Sequence, residues 1–191
     1  MFETAKNLIE DASSIVIVQA ENPDGDSLGS ALALEEIFGD MGKNVQLHCP
    51  VELPKYLRYI SGWDRVVTEL NTSADLIVLV DTTAEILLSK TLEIHGARHA
   101  FETKPVLVID HHITESTLTF PYNLVSEQAV STSQVIYHMS VESGWNINAQ
   151  AAENLLVALM SDSRGLTTQN STAESFFVAG KLTELGASNA N

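Results

Sequence analysis

The stretch Ile15-Val16-Ile17-Val18-Gln19-Ala20-Glu21-Asn22-Pro23-Asp24-Gly25-Asp26-Ser27-Leu28-Gly29-Ser30 decides how this chain folds. It begins with β-branched residues in an unbroken apolar run, the pattern of a strand buried on both faces of a parallel sheet. The run gives way to Pro23 and to Asp24 and Asp26, separated by Gly25, which is turn chemistry. A helix is expected to open from that turn through Gly29 and Ser30. A strand end, paired carboxylates and a new helix N-terminus together offer metal ligands and a seat for an anion.

The same grammar recurs on either side of that stretch. Ala5, Leu8, Ile9 and Ala12 stand at helical spacing, so a short amphipathic helix is expected over 5–12. Ala31 to Met41 reads as helix with Gly42 as C-cap, and Val45 to Cys49 as a second strand. The segment from Leu57 to Val67 is mixed and interrupted by Gly62. Leu76-Ile77-Val78-Leu79-Val80 is a clear strand ending in Asp81-Thr82-Thr83, with a helix expected over Ala84 to Leu92. Val106-Leu107-Val108-Ile109 is another buried strand, ending in Asp110-His111-His112. Phe120 to Val125 is a weaker strand candidate. Helices are expected over Ser131–Ser143, Ala149–Met160 (running into Ser161-Asp162-Ser163) and Thr172–Leu185.

Alternating strands and helices imply an α/β fold, a mostly parallel sheet flanked by helices in three layers. With no internal repeat or low-complexity linker, residues 1–191 are expected to form one domain. In such sheets the ligand crevice lies beyond the carboxyl ends of the strands. Three strands here deliver Asp or His to that edge.

Composition narrows the class. Hydrophobic residues make up 45% of 191, and mean hydropathy is +0.07, values of an ordinary globular protein. No apolar run approaches the ~20 residues that span a bilayer, so no membrane partner is expected. The start lacks the basic flank and apolar core of a signal peptide, and a single cysteine, Cys49, fits a reducing, cytoplasmic setting. The net charge of −15 argues against long duplex nucleic acid, which is bound by arrays of Lys and Arg. A small phosphorylated ligand remains compatible, because divalent cations supply positive charge locally.

Asp24, Asp26, Asp81, His111, His112 and Asp162 form a carboxylate and imidazole set suited to Mn²⁺, with Mg²⁺ as the second choice. Two such ions ~3.5–4 Å apart would clamp a phosphoryl group. The chain resembles the DHH phosphoesterase family, whose members include RecJ-type exonucleases, nano-RNA and phosphoadenosine-phosphate phosphatases, cyclic-dinucleotide phosphodiesterases and manganese-dependent pyrophosphatases. The resemblance rests on Asn22 to Ser30, Val80-Asp81-Thr82, Asp110-His111-His112 and Ser161-Asp162-Ser163, in the family's order.

The resemblance implies a phosphoesterase acting on small nucleotides or short oligonucleotides, with a homodimer as one possible assembly. It implies that Asp24 and Asp81 bind a first metal, and Asp26, Asp81, His111 and Asp162 a second. His112 would contact the phosphate or leaving group, and Asp110 would orient the histidines. Asn22 would lie at the substrate, and Gly29 and Ser30 would let backbone approach phosphate. Ser131-Thr132 resembles a further family segment near the site.

Three departures stand beside these matches. The family carries a histidine four residues before the first aspartate, where this chain has Ala20. Alanine cannot ligate, and strand alternation is expected to turn Gln19 and Glu21 away, so the first metal site is expected to be weakened. The alternative is a non-catalytic, nucleotide- and metal-binding regulatory domain. The family's usual smaller C-terminal domain is expected to be absent from these residues. Arg164 stands where glycine is common and is a candidate phosphate contact. His95 and His99 read as surface residues, and His48, His138 and Cys49 as structural.

Overall fold

The computed structural model describes residues 2–188. In chain order the elements are α1 (Glu3–Asp11), β1 (Ser14–Val18), α2 (Gly25–Asp40), β2 (Asn44–His48), β3 (Val66–Val67), β4 (Leu76–Val80), α3 (Ser89–Glu93), α4 (Ala97–Thr103), β5 (Val106–Asp110), β6 (Asn123–Ser126), α5 (Thr132–Ser143), α6 (Ala149–Asp162) and α7 (Ala173–Glu184). The strands form one sheet in the order β3-β2-β1-β4-β5-β6, every neighbouring pair parallel. The α/β expectation is met.

Alternation along the strands sorts two apolar layers. Ile15, Ile17, Val78, Val80, Leu107 and Ile109 face the layer that includes Leu32, Phe38, Ile136 and Leu155 of α2, α5 and α6. Val16, Val18, Ile77, Leu79, Val106 and Val108 face Leu88, Leu92, Ala100 and Phe101. Both sides of the central strands are therefore covered, which is why their sequences are continuously apolar. β1 and β4 are neighbours from which the strand order runs in opposite directions. Their carboxyl ends therefore frame the crevice of a doubly wound sheet.

The structure corrects several expected boundaries. α2 starts at Gly25, because Asp24 accepts from Ser27 N (2.9 Å) and Ser27 Oγ accepts from Asp24 N (3.0 Å) in a reciprocal cap. Gly29 and Ser30 therefore lie in the second turn, not at the helix start, and both are buried. A Cβ at Gly29 would sit 2.6 Å from Asn154 O and 2.9 Å from Ala158 Cβ. Gly29 thus serves the close crossing of α2 and α6, the helix whose end brings Asp162 to 3.5 Å from His111 Nε2. Its expected approach to phosphate is replaced by helix packing. Ser30 Oγ donates to Asp26 Oδ1 (3.2 Å), so it supports a carboxylate rather than meeting a ligand.

The helix expected over Ala84–Leu92 is instead a 3₁₀ turn (Glu85–Leu88) followed by the short α3. α4 lies where no helix was expected; left-handed Gly96 (φ 82°) breaks the pattern ahead of it. No helix among the described residues is long and apolar enough to cross a membrane.

Candidate functional site

Each strand-end motif lands at one crevice of about 210 Å³. Its walls include Ala20, Asn22, Asp24, Asp81, Asp110 and His112. Arg164 is not among them: it is exposed in the loop after α6, with φ at 49°.

Asp26 is the best-anchored carboxylate. It is 1% exposed and accepts from Thr132 N (2.7 Å, Oδ2) and Ser133 N (3.2 Å, Oδ1) at the first turn of α5. Ser131 caps that helix by accepting from Gln134 N, so two otherwise orphan N–H groups are spent on Asp26. Burial still pushes the Asp26 carboxyl up to about 7, against those backbone bonds and helped by nearby Asp162 and Asp24.

Asp81 leaves the end of β4 in a left-handed conformation (φ 63°), one that aspartate tolerates better than most residues. Its N–H donates to Ile109 O (2.9 Å), which ties the bend to β5. Its Oδ1 accepts from Thr132 Oγ1 (2.8 Å). Burial, reinforced by Asp26 and Asp24, raises its carboxyl well above the usual range.

The two histidines divide between the interior and the surface. His111 turns inward, with Nδ1 on Ala129 O (3.3 Å). A carbonyl can only accept, so Nδ1 carries the proton and Nε2 offers its lone pair. Nε2 lies 3.5 Å from Asp162 Oδ2, 3.6 Å from Asp81 Oδ1 and 3.8 Å from Asp26 Oδ2. Burial, with His112 adding to it, holds its pKa below the ordinary histidine value, as a neutral ligand requires. His112 faces outward, its side chain 49% exposed, with Nδ1 on Asp110 Oδ1 (2.7 Å). Asp110 Oδ1 also accepts from the backbone N–H groups of His111 (2.8 Å) and His112 (3.2 Å). One buried carboxylate oxygen thus fixes both histidines.

These residues fit a divalent cation. Asp26, His111 and Asp162 present ligand atoms within 4.8 Å of one another, as do Asp81, His111 and His112. No Lys or Arg lines the crevice, so the raised carboxyls of Asp26, Asp81 and Asp162 mark a cluster short of positive charge. Oxygen ligands with one imidazole suit Mn²⁺ and related ions.

Asp24 is exposed and belongs to neither group, with Oδ1 committed to its helix cap. Ala20 puts a methyl group in the wall. Neither neighbour replaces a ligand there: Glu21 reaches Ser89 Oγ (3.4 Å) and Lys90 N (3.3 Å), and Gln19 is fully buried and absent from the wall. His95 and His99 are exposed. His48 is buried between Glu69 O (3.1 Å) and Thr91 Oγ1 (3.2 Å), and Cys49 is buried with its thiol on Ala20 O (3.5 Å). Thr132 and Ser133 are the residues that sequence reasoning undervalued. Their signal was a Ser-Thr-Ser cap opening a helix after a strand.

Residues 14–160 match the DHH family, N-terminal domain. The chain belongs to the DHH family. Among curated relatives of this DHH chain is the bifunctional oligoribonuclease and PAP phosphatase NrnA of Mycoplasma genitalium. It is 26% identical over 179 residues, covering 93% of this chain and 55% of the relative. The probable manganese-dependent inorganic pyrophosphatase of Enterococcus faecalis is 28% identical over 184 residues, covering 93% and 57%. The DHH chain thus spans about half the length of the curated relatives it matches. An exopolyphosphatase-related protein from Bacteroides fragilis shares the fold at a TM-score of 0.86, with 24% identity, over 98% of this chain and 57% of that one. Manganese-bound exonuclease RecJ aligns at 0.52 and 16% identity, over 97% and 46%.

Proposed function

We propose that this chain is a metal-dependent phosphoesterase domain acting on phosphodiester or phosphomonoester bonds of small nucleotides or short oligonucleotides. The carrying observation is the convergence of Asp26, Asp81, Asp162 and His111 Nε2 at the switch point of a DHH-family sheet. The names of the curated relatives support the same reaction class. Asp26, Asp81, His111 and Asp162 would hold one ion, Mn²⁺ before Mg²⁺, and Asp24 with Asp81 a second. Such ions supply positive charge to phosphoryl oxygens and lower the pKa of bound water.

The chain's own residues do the rest. Thr132 and Ser133 keep the carboxylates aimed, so binding an ion costs little reorganisation. Asp110 grips His112 at Nδ1, which leaves Nε2 at the crevice mouth to meet a phosphoryl or leaving oxygen.

A second reading, a nucleotide- and metal-binding domain without turnover, is favoured by Ala20 in the crevice wall. Metal stoichiometry and Mn²⁺-dependent hydrolysis of bis-p-nitrophenyl phosphate separate the two, comparing the natural chain with Ala20→His. The phosphoesterase reading expects measurable turnover that rises at least about tenfold, ~1.4 kcal/mol, with the added ligand. Turnover absent in both proteins, with metal bound, supports the second reading. A folded protein that binds no metal in either form overturns both.

A further inference from the structure

A second hollow, of about 320 Å³, lies against the same pair of histidine rings. His111 and His112 line it, together with Ile113, Gln128, Gln169 and Asn170 among others. It shares His112 with the carboxylate crevice, so a ligand whose phosphate meets that ring can extend into it. The two walls differ in chemistry. Asp24, Asp81 and Asp110 line the crevice, whereas no Asp, Glu, Lys or Arg lines the second hollow. In a chain with 25 acidic and 10 basic residues, a wall without Asp, Glu, Lys or Arg beside the site suits an uncharged part of a ligand.

The amide side chains there are uncommitted. The side chains of Gln128, Gln169 and Asn170 make no hydrogen bond among the described residues. Each amide offers two donors and an acceptor, the set that pairs with the edges of unstacked bases. Ile113, 94% exposed, adds an apolar surface for a base to lie against. Size agrees as well. Small-molecule pockets begin near about 300 Å³, which the hollow reaches at about 320 Å³ and the crevice, at about 210 Å³, does not.

We propose that this hollow is a nucleoside subsite. It takes the base and ribose of a nucleotide whose phosphate lies at His112, with Gln128, Gln169 and Asn170 pairing with the base. The placement of the phosphate rests on the phosphoesterase reading above. The subsite selects nucleotides over inorganic pyrophosphate, whose dense charge finds no Lys or Arg on this wall.

Calorimetric titration with AMP and with ribose 5-phosphate, in Mn²⁺, tests the subsite by its affinity, independently of the hydrolysis assay. The natural chain is expected to bind AMP at least about tenfold more tightly, ~1.4 kcal/mol. A Gln128→Ala/Asn170→Ala variant is expected to lose most of that ratio while keeping its ribose 5-phosphate affinity. Both positions are exposed, so the fold is untouched. Equal binding of the two ligands, no binding of either, or a ratio unchanged in the variant overturns the subsite. Hydrolysis of bis-p-nitrophenyl phosphate is read in parallel. Base discrimination without hydrolysis keeps the subsite and removes the phosphoesterase reading; hydrolysis without discrimination does the reverse.

Discussion

At one corner of the crevice Asp26, Asp81 and His111 are each fastened from behind. Thr132 and Ser133 hold the carboxylates, and Ala129 O holds the imidazole. At another corner Asp24 is exposed, shares its carboxylate with a helix cap, and lines the crevice together with the methyl group of Ala20. The first corner is rigid before any ligand arrives; the second has two acids in reach and nothing to complete them. Ligand identity alone does not make a site, because the supporting hydrogen bonds decide whether its geometry exists in advance.

The comparison can be broken most severely at His111, whose Nε2 faces three carboxylates. Replacing it in His111→Ala is expected to lower Mn²⁺-dependent hydrolysis on the order of a thousandfold, about 4 kcal/mol. Turnover within tenfold of the natural chain would show that the fastened corner is not where the chemistry happens.

Thr132→Val sharpens the point, because it removes only the hydroxyl on Asp81 and keeps the backbone N–H on Asp26. Calorimetry is expected to show Mn²⁺ affinity down roughly ten- to a hundredfold, as when other outer partners of metal ligands are lost. Thr132→Ser should restore it. An unchanged affinity in the valine variant would mean that Asp81 needs no such support.

The smallest effect lies behind the same corner. His138 of α5 bonds Glu127, two residues from Ala129, and Glu174 of α7 (3.0 Å). The bond to Glu127 leads in raising the His138 pKa above the ordinary 6.5, with Glu174 contributing and partial burial opposing. The folded state therefore binds this proton more tightly than the unfolded chain. Its stabilisation is full below about pH 6.5 and fades as pH rises through the folded value. Denaturant melts across pH 5.5 to 9 should show a loss of about 0.5–1 kcal/mol, discounted for solvent screening, that is missing in His138→Gln. A parallel slope in the variant would assign the loss elsewhere.

Much of the site was legible because the three core strands are buried on both faces. Continuous apolar runs mark such strands without ambiguity, and the polar residues that end them fall at the crevice edge. Asp24, Asp26, Asp81, Asp110, His111 and His112 were found on that logic. Asp162 came from its motif, and its approach depends on a helix crossing that periodicity does not encode. Gly29 shows the limit most plainly: beside two aspartates it looked like a place for phosphate, and in the fold it is the gap that admits α6. The 3₁₀ turn and α3, expected as one helix, and α4, not expected, are short elements shaped by their packing on the sheet.

The sequence by itself determined the α/β class, the parallel sheet and the identity of the strand-end acids and histidines, since hydrophobic period and turn chemistry are local properties. Only the tertiary structure decided which of those side chains meet and which are held. That Thr132 joins Asp26 to Asp81, and that Gly29 lets Asp162 come within reach of His111, depends on contacts between residues far apart in the chain, which no local pattern records.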